Sequence, residues 1–369
     1  MTTEEAIAMR LNCQQLLRPR FARAEEVVGW MGMMQAQDYN QFRWAIGMRM
    51  REPGIMAVND SLSSGKIVRL HLLRCTVQAV AAEDYPWMLE LCKERNLSTI
   101  KSWPSYKRAD FSEQYYEEAI DALKEILAGS KSMTKKRIGE EMSLLGLPGD
   151  NDHVHQVLLR GEIEGLFVSG EIQGRDATWT LVEGKFRSLG EYKTDTNIQN
   201  KEQCPQFSVD EYLSVLACKY FRSHSPASFE DFCWWTGLPI TQNRKAVQRI
   251  ASELEEVRIG EQVMLVYKSS ELQPATNEKS VLLLPPYDEY LIGYKSRWIA
   301  LDKRYEHKAH NNFGIFHPVI LFGGKVVGNW KASLASQAKT IATDVFAMKR
   351  EVGVRRLEKA KDALRKFCE

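Results

Sequence analysis

The residues of this sequence best suited to chemistry are two glutamines one position apart, Gln35 and Gln37, followed directly by Asp38. A neutral carboxamide is a poor general base, but its carbonyl dipole can orient a water molecule or stabilise positive charge. Asp38 is the competing candidate, since a carboxylate can act as a base or stabilise charge, or can simply cap a helix end. A Gln-x-Gln pattern alone is a weak signal, and a solvated or capping role is its ordinary interpretation.

An apolar helical run precedes the glutamines. Val27, Met31 and Met34 recur at helical spacing, which predicts a helix from Val27 to Met34 with one face packed inward. Side chains at positions i and i+2 point about 200° apart on a continuing helix, so they cannot converge there. We therefore expect the helix to end around Asp38, where the chain can bring the two carboxamides together.

Composition limits the class of protein. The 369 residues are 44% hydrophobic, enough for two or three domains with cores of their own. Fifty basic residues nearly balance 48 acidic ones, so a nucleic-acid surface would have to come from local basic clusters. No apolar run reaches the roughly 18 residues of a membrane span, and no secretory signal is visible. We expect a cytoplasmic protein with no membrane contact.

No motif for a metal or a nucleotide cofactor is present. The seven cysteines are scattered without a C-x-x-C pair, which argues for reduced thiols rather than a disulfide framework or a zinc ribbon. His153 and His155 lie two residues apart, a spacing unsuited to one helix face, and neither a P-loop nor a G-x-S-x-G sequence occurs. An enzyme with this sequence is expected to work without a metal or a cofactor.

Three stretches of the chain show the same order of elements, in which helices are followed by β-rich runs. In the first, the run from Lys66 to Val80 is either one long strand or a hairpin. In the second, two such runs flank Gly174, and in the third they lie within residues 257–267. Helices followed by a hairpin are what a winged helix requires, and three copies predict a tandem array. An unrelated α+β domain with mixed helices and hairpins is the alternative.

We therefore predict an α+β protein with three tandem winged-helix modules, each a helix-turn-helix with a β-wing, and a small C-terminal β-rich domain. Within that domain, Gly323-Gly324 between two β-rich runs indicates a hairpin. The predicted boundaries are residues 1–110 for winged helix 1 with the Gln-x-Gln motif and a β-ribbon, 111–200 for winged helix 2, 201–275 for winged helix 3, 276–346 for the β-rich domain, and 347–369 for a basic C-terminal helix with a solvated face.

Basic residues lie on the elements with which a winged helix would contact DNA. Such modules place a helix in the major groove and the wing along the backbone, so double-stranded DNA is the expected partner. Protein contacts or a purely architectural role are the other uses of the fold. The candidate DNA-contacting residues are Arg69, Arg74, Thr76 and Gln78 on the β-ribbon, Lys135, Lys136 and Arg137 in the second module, and Arg244 and Lys245 in the third.

The sequence resembles the bacterial winged-helix DNA glycosylases of the AlkZ/YcaQ type, in segments that follow the family's order over nearly the whole chain. These segments are Met34-Gln35-Ala36-Gln37-Asp38, Val68-Arg69 through Arg74-x-Thr76, Asp84 with Trp87, Leu284-Pro285-Pro286-Tyr287-Asp288-Glu289-Tyr290-Leu291-Ile292-Gly293-Tyr294, Arg297, and His317-Pro318-Val319 to Gly328-Asn329-Trp330. The resemblance implies three tandem winged helices and a β-domain that form a curved DNA-binding surface in the bacterial cytosol or nucleoid. It also implies excision of alkylated bases, including unhooking of interstrand crosslinks, with Gln35 and Gln37 at the catalytic centre.

One departure from the family pattern bears on lesion specificity. Where many members have Gly and His in an Arg-Gly-Thr-x-His run, this chain has Cys75 and Gln78. Asp288, Glu289 and Tyr290 follow two prolines, and we expect them to fix a turn and interdomain packing rather than to contact DNA.

Two glutamines would suffice for one kind of substrate. An N7-alkylguanine or N3-alkyladenine is a cationic leaving group, so its release needs no acid, and the sugar develops oxocarbenium character. Carbonyl dipoles stabilise that charge and hold a water for attack. We therefore expect a monomeric, monofunctional, metal-independent DNA glycosylase that acts on alkylated or crosslinked duplex DNA. A DNA-binding regulator without chemistry and a structural scaffold are the alternatives.

Overall fold

The structure is a computed structural model that describes residues 1–108, 111–129, 131–187, 208–270, 280–332 and 340–369. The helices are α1 (Thr3–Cys13), α2 (Ala24–Met31), α3 (Phe42–Gly47), α4 (Ile55–Ser63), α5 (Tyr85–Ser102), α6 (Glu113–Ile126), α7 (Lys135–Leu144), α8 (Asn151–Glu164), α9 (Val182–Arg187), α10 (Val209–His224), α11 (Phe229–Thr236), α12 (Ile240–Arg249), α13 (Glu289–Ile292), α14 (Glu306–Ala309), α15 (Lys349–Val352) and α16 (Val354–Phe367). The strands are β1 (Met34–Gln35), β2 (Ile67–His71), β3 (Val77–Ala81), β4 (Met133–Thr134), β5 (Phe167–Ser169), β6 (Thr178–Leu181), β7 (Leu254–Ile259), β8 (Gln262–Tyr267), β9 (Val281–Leu284), β10 (Val319–Phe322), β11 (Lys325–Lys331) and β12 (Ala342–Val345).

Helices and short antiparallel strands are mixed along the described chain, so the predicted α+β class is confirmed. The chain divides into two compact units, which we call the discontinuous unit (Met1–Val58 with Leu213–Glu369) and the middle unit (Asn59–Tyr212). The boundaries of the five predicted parts stay a prediction, because this division reflects compactness and not the type of module. Within the described ranges, no helix is long and apolar enough to cross a membrane.

In the middle unit, the run from Lys66 to Val80 forms a hairpin rather than one long strand. Strands β2 and β3 pair antiparallel with Ile67 opposite Ala81, and a 3-10 turn joins them. Helices α5 to α8 come next in the chain, and β5 and β6 then pair with Phe167 opposite Leu181, with β4 on the other edge of β6. The predicted order of helices followed by a hairpin is therefore present in the second stretch.

The same order recurs in the discontinuous unit, where helices α10, α11 and α12 precede the antiparallel pair of β7 and β8. A four-stranded antiparallel sheet in the order β12-β11-β10-β9 follows. Its turn between β10 and β11 contains Gly323 and Gly324, whose φ angles of 54° and 78° lie in the left-handed region that favours glycine. The predicted Gly-Gly hairpin is confirmed.

The prediction of a helix from Val27 to Met34 is wrong for the last turn of that helix. Helix α2 ends at Met31, because Gly32 adopts a φ of 82° and breaks the helical conformation. The chain is extended at Met34 and Gln35, which form β1. The third helix of the third stretch, α12, ends at Arg249, and Leu254 begins β7.

The described cysteines are free thiols, and the pKa values of the most deeply buried ones are strongly raised. Burial raises the pKa of the Cys13 thiol to about 11 and that of the Cys75 thiol to about 12. Burial also raises the pKa of Cys92. Cys75 has a φ of 52°, so a residue with a side chain occupies a left-handed position of the hairpin turn.

The C-terminal helix α16 has one buried face, and it packs most closely at Gly47 of α3. A Cβ atom at Gly47 would lie 2.2 Å from Cε2 of Phe367, whose ring is buried and contacts Trp44 with 5.1 Å between ring centroids. We expect Gly47→Ala to lower the free energy of unfolding by about 1–3 kcal/mol, because the ring or the helix must move. Denaturant unfolding measures the change. Gly54→Ala is the matched control, since a Cβ there meets no described atom within 4 Å; equal losses in the two variants would contradict the prediction.

Candidate active site

The two glutamines lie on the extended segment between α2 and α3. Gln35 belongs to β1 and is 7% exposed, Ala36 is fully buried, and Gln37 is exposed. The strand covers Gln35 but not Gln37, which lies in the bend before α3, and the helix end that the sequence predicts near Asp38 comes earlier, at Met31. The pair spans the edge between the packed interior and solvent.

A buried carboxylate holds the backbone of Gln35. The Gln35 N–H donates to Oε1 of Glu289 at 2.7 Å, while Oε2 of Glu289 accepts from the indole N–H of Trp235 at 3.1 Å. Nε2 of His224 lies 3.6 Å from the same Oε2. All three side chains around this carboxylate are buried. Because hydrogen bonds to an ionised acceptor are stronger than neutral ones, Glu289 is a positioning residue for Gln35.

The neighbouring carboxylate, Asp288, forms a buried ion pair with Arg49. Its two oxygens accept from Nη2 and Nη1 of Arg49 at 2.7 and 2.8 Å, and neither side chain is more than 1% exposed. Arg49 also donates to the Ala45 carbonyl oxygen at 2.8 Å and to Oε1 of Gln14 at 3.0 Å. Asp288 caps α13 by accepting the Tyr290 N–H at 2.9 Å. These extra hydrogen bonds compensate for the desolvation of both charges.

Asp38 caps a turn, although not the helix end that the sequence suggested. Its Oδ1 accepts the backbone N–H groups of Asn40 and Gln41 at 3.0 and 2.9 Å, and its Oδ2 accepts from Nε2 of Gln41 at 3.3 Å. The turn leads directly into α3. Burial raises the pKa of the Tyr287 phenol, and the negative charge of Asp38 raises it further. The geometry gives Asp38 a capping role and leaves its part in catalysis to experiment.

Two tryptophans fix the chain that leads to the buried carboxylates. Trp44 of α3 donates its indole N–H to the Leu283 carbonyl oxygen at 2.7 Å, and Trp330 of β11 donates to the Leu284 carbonyl oxygen at 2.7 Å. Both bonds hold the end of β9, from which Pro285-Pro286 leads to Asp288. Three segments that are distant in sequence, at residues 34–44, 283–294 and 317–330, are therefore packed together in the discontinuous unit.

The DNA-contacting candidates on the β2–β3 hairpin differ in exposure. Arg69 and Arg74 are half-buried, and the Arg69 backbone N–H donates to Oγ of Ser169 at 2.9 Å. Gln78 is only 1% exposed, and its Nε2 donates to Oγ1 of Thr76 at 3.3 Å and to the Leu73 carbonyl oxygen at 3.2 Å. Gln78 thus closes the turn, and its burial argues against a direct contact with DNA. A role in DNA binding for Arg69, Arg74 and Thr76 stays a prediction.

The candidates on helices are more accessible. On α7, Lys136 is exposed, Lys135 is half-buried with a pKa lowered by burial, and Arg137 pairs with Glu140 at 3.1 Å and with Glu141. Exposed pairs of this kind are weak, so Arg137 could exchange its carboxylate partners for phosphate. On α12, Arg244 and Lys245 are both exposed. Their role as DNA contacts also stays a prediction.

Sequence reasoning missed the supports beneath the glutamines. It assigned Asp288 and Glu289 to a turn and to packing, which their burial agrees with, but it did not connect Glu289 with Gln35 or name Arg49. One signal was available, because two adjacent carboxylates interrupt an otherwise apolar run. Charges buried in such a run must find partners elsewhere in the chain. In the described ranges, no group of three or more His, Cys, Asp and Glu side chains is arranged to hold a metal ion.

Comparison with known proteins relates the chain to one family and to one solved structure. Residues 28–367 match the profile of a family described as "DNA glycosylase AlkZ-like". In fold, the chain is similar to Streptomyces sahachiroi DNA glycosylase AlkZ, with a TM-score of 0.73, coverage of 100% of this chain and 97% of that one, and 21% sequence identity. No curated protein matches the chain in sequence.

The support that Glu289 gives to Gln35 can be measured directly. In Glu289→Gln the new amide has one accepting oxygen in place of two, so either Gln35 or Trp235 loses its acceptor. A hydrogen bond to a charged group contributes about 1.5–3 kcal/mol, so we expect the Gln35 amide or the Trp235 indole N–H, whichever loses its acceptor, to exchange with deuterium about 10-fold faster or more. Glu230→Gln, at an exposed position of the same unit, should leave this exchange unchanged. Unaltered protection in Glu289→Gln would show that other contacts fix the segment.

Proposed function

Because the chain belongs to the AlkZ-like DNA glycosylase family, we propose that it hydrolyses the N-glycosidic bond of cationic alkylated bases in duplex DNA, as a monofunctional enzyme. The proposed substrates are N7-alkylguanine and N3-alkyladenine. The observation that carries the proposal is the rigid placement of Gln35, whose backbone donates to the buried carboxylate of Glu289 at 2.7 Å, two residues from the exposed Gln37. A fixed backbone limits the directions that the Gln35 carboxamide can take, and a preorganised dipole is what a developing charge requires.

The chemistry asked of the protein is modest. The bond between C1′ of the sugar and the base nitrogen breaks, and its electron pair leaves with the base, which thereby loses its positive charge. The sugar becomes oxocarbenium-like in the transition state. The carbonyl oxygens of Gln35 and Gln37 stabilise that charge and orient a water whose oxygen bonds to C1′. The water then releases a proton to solvent, and the products are a free base and an abasic site.

Electrostatics of the packed segment assist the same step. Glu289 places a carboxyl group directly behind the Gln35 backbone, and its ionised form would act in this buried site through a lower effective dielectric constant than in water. Negative potential there favours the cationic sugar over the neutral ground state. Asp38 contributes a second carboxylate nearby, whose oxygens are already engaged in the turn before α3. We assign Asp38 to structure and the two glutamines to catalysis.

We further propose that three tandem winged helices and the C-terminal β-rich domain bind the duplex. Support comes from the helix-then-hairpin order in both units and from the exposed basic residues on α7 and α12. Unhooking of an interstrand crosslink requires a site open enough for a bulky base. The exposure of Gln37 favours such access. Departure from the family pattern at Cys75 and Gln78 leaves the choice among lesions to experiment.

Base release is the decisive measurement. We expect the protein to convert duplex DNA carrying N7-methylguanine into DNA with an abasic site, in the presence of EDTA and faster than the spontaneous rate. In single-turnover assays, Gln35→Ala and Gln37→Ala should each slow release by about 100-fold or more, if the magnitude known for oxyanion-hole donors applies. DNA affinity should change little, because the dipoles act in the transition state.

Two comparisons make the outcome unambiguous. The double variant should be less impaired than the product of the two single effects, since both side chains serve one water and one charge. Asp38→Asn should remain active. Loss of activity in Asp38→Asn with both glutamine variants active would assign the chemistry to the carboxylate. Protection of one DNA sequence without any release of base would favour a DNA-binding regulator instead.

Phosphate contacts should dominate DNA affinity, because the exposed candidate contacts on α7 and α12 are cations while the net charge is only +2. Log affinity should fall linearly with log salt, with a slope near −0.9 per phosphate contacted. Arg244→Ala and Lys245→Ala should each reduce the size of that slope by about 1, equally on all sequences. Arg365→Ala is the control, since Arg365 pairs with Asp362 on α16 at 2.6 Å. Fluorescence anisotropy titrations provide the slopes, and a salt-independent affinity would exclude this surface.

A further inference from the structure

The most exposed of the large apolar side chains in the described residues is that of Phe313, which is 92% exposed. It lies on a short loop between His310 and Phe316, which pair as an isolated antiparallel bridge. Ile315, 43% exposed, is on the same loop. Single apolar residues on a surface are ordinary, so exposure alone indicates nothing. The construction and the position of this loop add two further observations.

The loop is built to hold its tip in place. Oδ1 of Asn311 accepts the backbone N–H groups of Phe313 and Ile315 at 2.9 and 3.1 Å. The Asn311 N–H donates to the Ile315 carbonyl oxygen at 3.0 Å, and Gly314, with a φ of 78°, donates to the Asn311 carbonyl oxygen at 3.2 Å. A loop fixed in this way presents its aromatic ring without the entropy loss that a mobile loop would incur on binding.

The base of the loop packs on the segment that positions the glutamines. The buried Phe316 ring lies 6.3 Å from the ring of Tyr287, measured between centroids, and the guanidinium of Arg297 lies 4.9 Å from the centre of the Phe316 ring. Tyr287 is two residues before Glu289, whose carboxylate accepts the Gln35 N–H. All of these residues belong to the discontinuous unit. Phe313 is therefore three residues from a side chain that packs on the segment supporting the candidate active site.

We propose that Phe313 is a wedge that inserts between stacked base pairs of the duplex beside the base that the glutamines release. This inference rests on the proposed function. A base that is stacked in a duplex has to be separated from its neighbours before its glycosidic bond is accessible, and that separation costs free energy. Apolar side chains such as Phe and Ile unstack a base step by insertion. An aromatic ring also stacks on the base that remains, which offsets part of the cost.

The small size of the exposed apolar loop tip favours a base step rather than a protein as its binding partner. A stable protein–protein contact buries about 800 Å² on each partner, far more than one ring and one isoleucine at a loop tip can supply. One ring is the right size to replace one stacked base. A second copy of this chain as the occupant is thus an outcome to be tested rather than the expectation.

The test uses the full chain and a duplex with 2-aminopurine next to N7-methylguanine, since this fluorescent base brightens when it is unstacked. Wild-type protein should increase the fluorescence, and Phe313→Ala should abolish the increase and slow single-turnover release about 10-fold or more. Phe313→Trp should retain both properties, because it keeps an aromatic ring. Val354→Ala is the matched control, since Val354 is 79% exposed in the same unit at the start of α16. It should behave as wild type.

Each outcome separates the wedge from the proposed function. If Phe313→Ala retains both the fluorescence increase and the rate, the wedge is overturned while base release by the wild type still stands. If the wild type unstacks 2-aminopurine through Phe313 but releases no base, the wedge stands and the glycosylase proposal fails. If Phe313→Ala instead turns a dimer into a monomer in sedimentation and leaves the fluorescence unchanged, the loop is a contact between copies and the wedge is overturned.

Discussion

Two adjacent carboxylates, Asp288 and Glu289, are buried in one segment, and each must find partners inside the protein because water cannot reach it. Asp288 binds Arg49 through two hydrogen bonds, and Glu289 binds the backbone of Gln35 and the indole of Trp235. The partners come from parts of the sequence that are far apart. The hydrogen bonds of these two carboxylates thus join the N-terminal residues to helix α11 and to the segment after β9. They give the candidate site its shape.

This arrangement suits a site whose reacting groups are neutral. A carboxylate or an imidazole contributes through its charge and its proton affinity even when its position varies somewhat. A carboxamide contributes only a dipole, and the energy of a dipole depends on its direction as well as its distance. The value of Gln35 therefore depends on how firmly its backbone is held, which is the task of Glu289. A rigid base for the Phe313 loop follows from the same packing around Tyr287.

Local features of the fold could be predicted from the sequence, and contacts between distant residues could not. Thr134 caps α7 and Gly165 ends α8, as the types of these two residues favour, because caps depend on neighbouring residues. Helix α2 is shorter than its apolar spacing predicts, because Gly32 ends it. The bond between Gln35 and Glu289 joins residues 254 positions apart, and no local pattern encodes such a pairing. The Gln-x-Gln motif was visible in the sequence, while its support became visible only in the structure.

The raised pKa values of the buried thiols have a chemical consequence for a protein proposed to work on alkylated DNA. Electrophiles that modify guanine and adenine also react with sulfur, but the reactive form of cysteine is the thiolate. With burial raising the pKa of Cys13 to about 11 and of Cys75 to about 12, these sulfurs stay protonated near neutral pH. The packing that stabilises the fold therefore also lowers the reactivity of these two thiols. These two thiols are therefore poor targets for the reagents whose damage the proposed enzyme would remove.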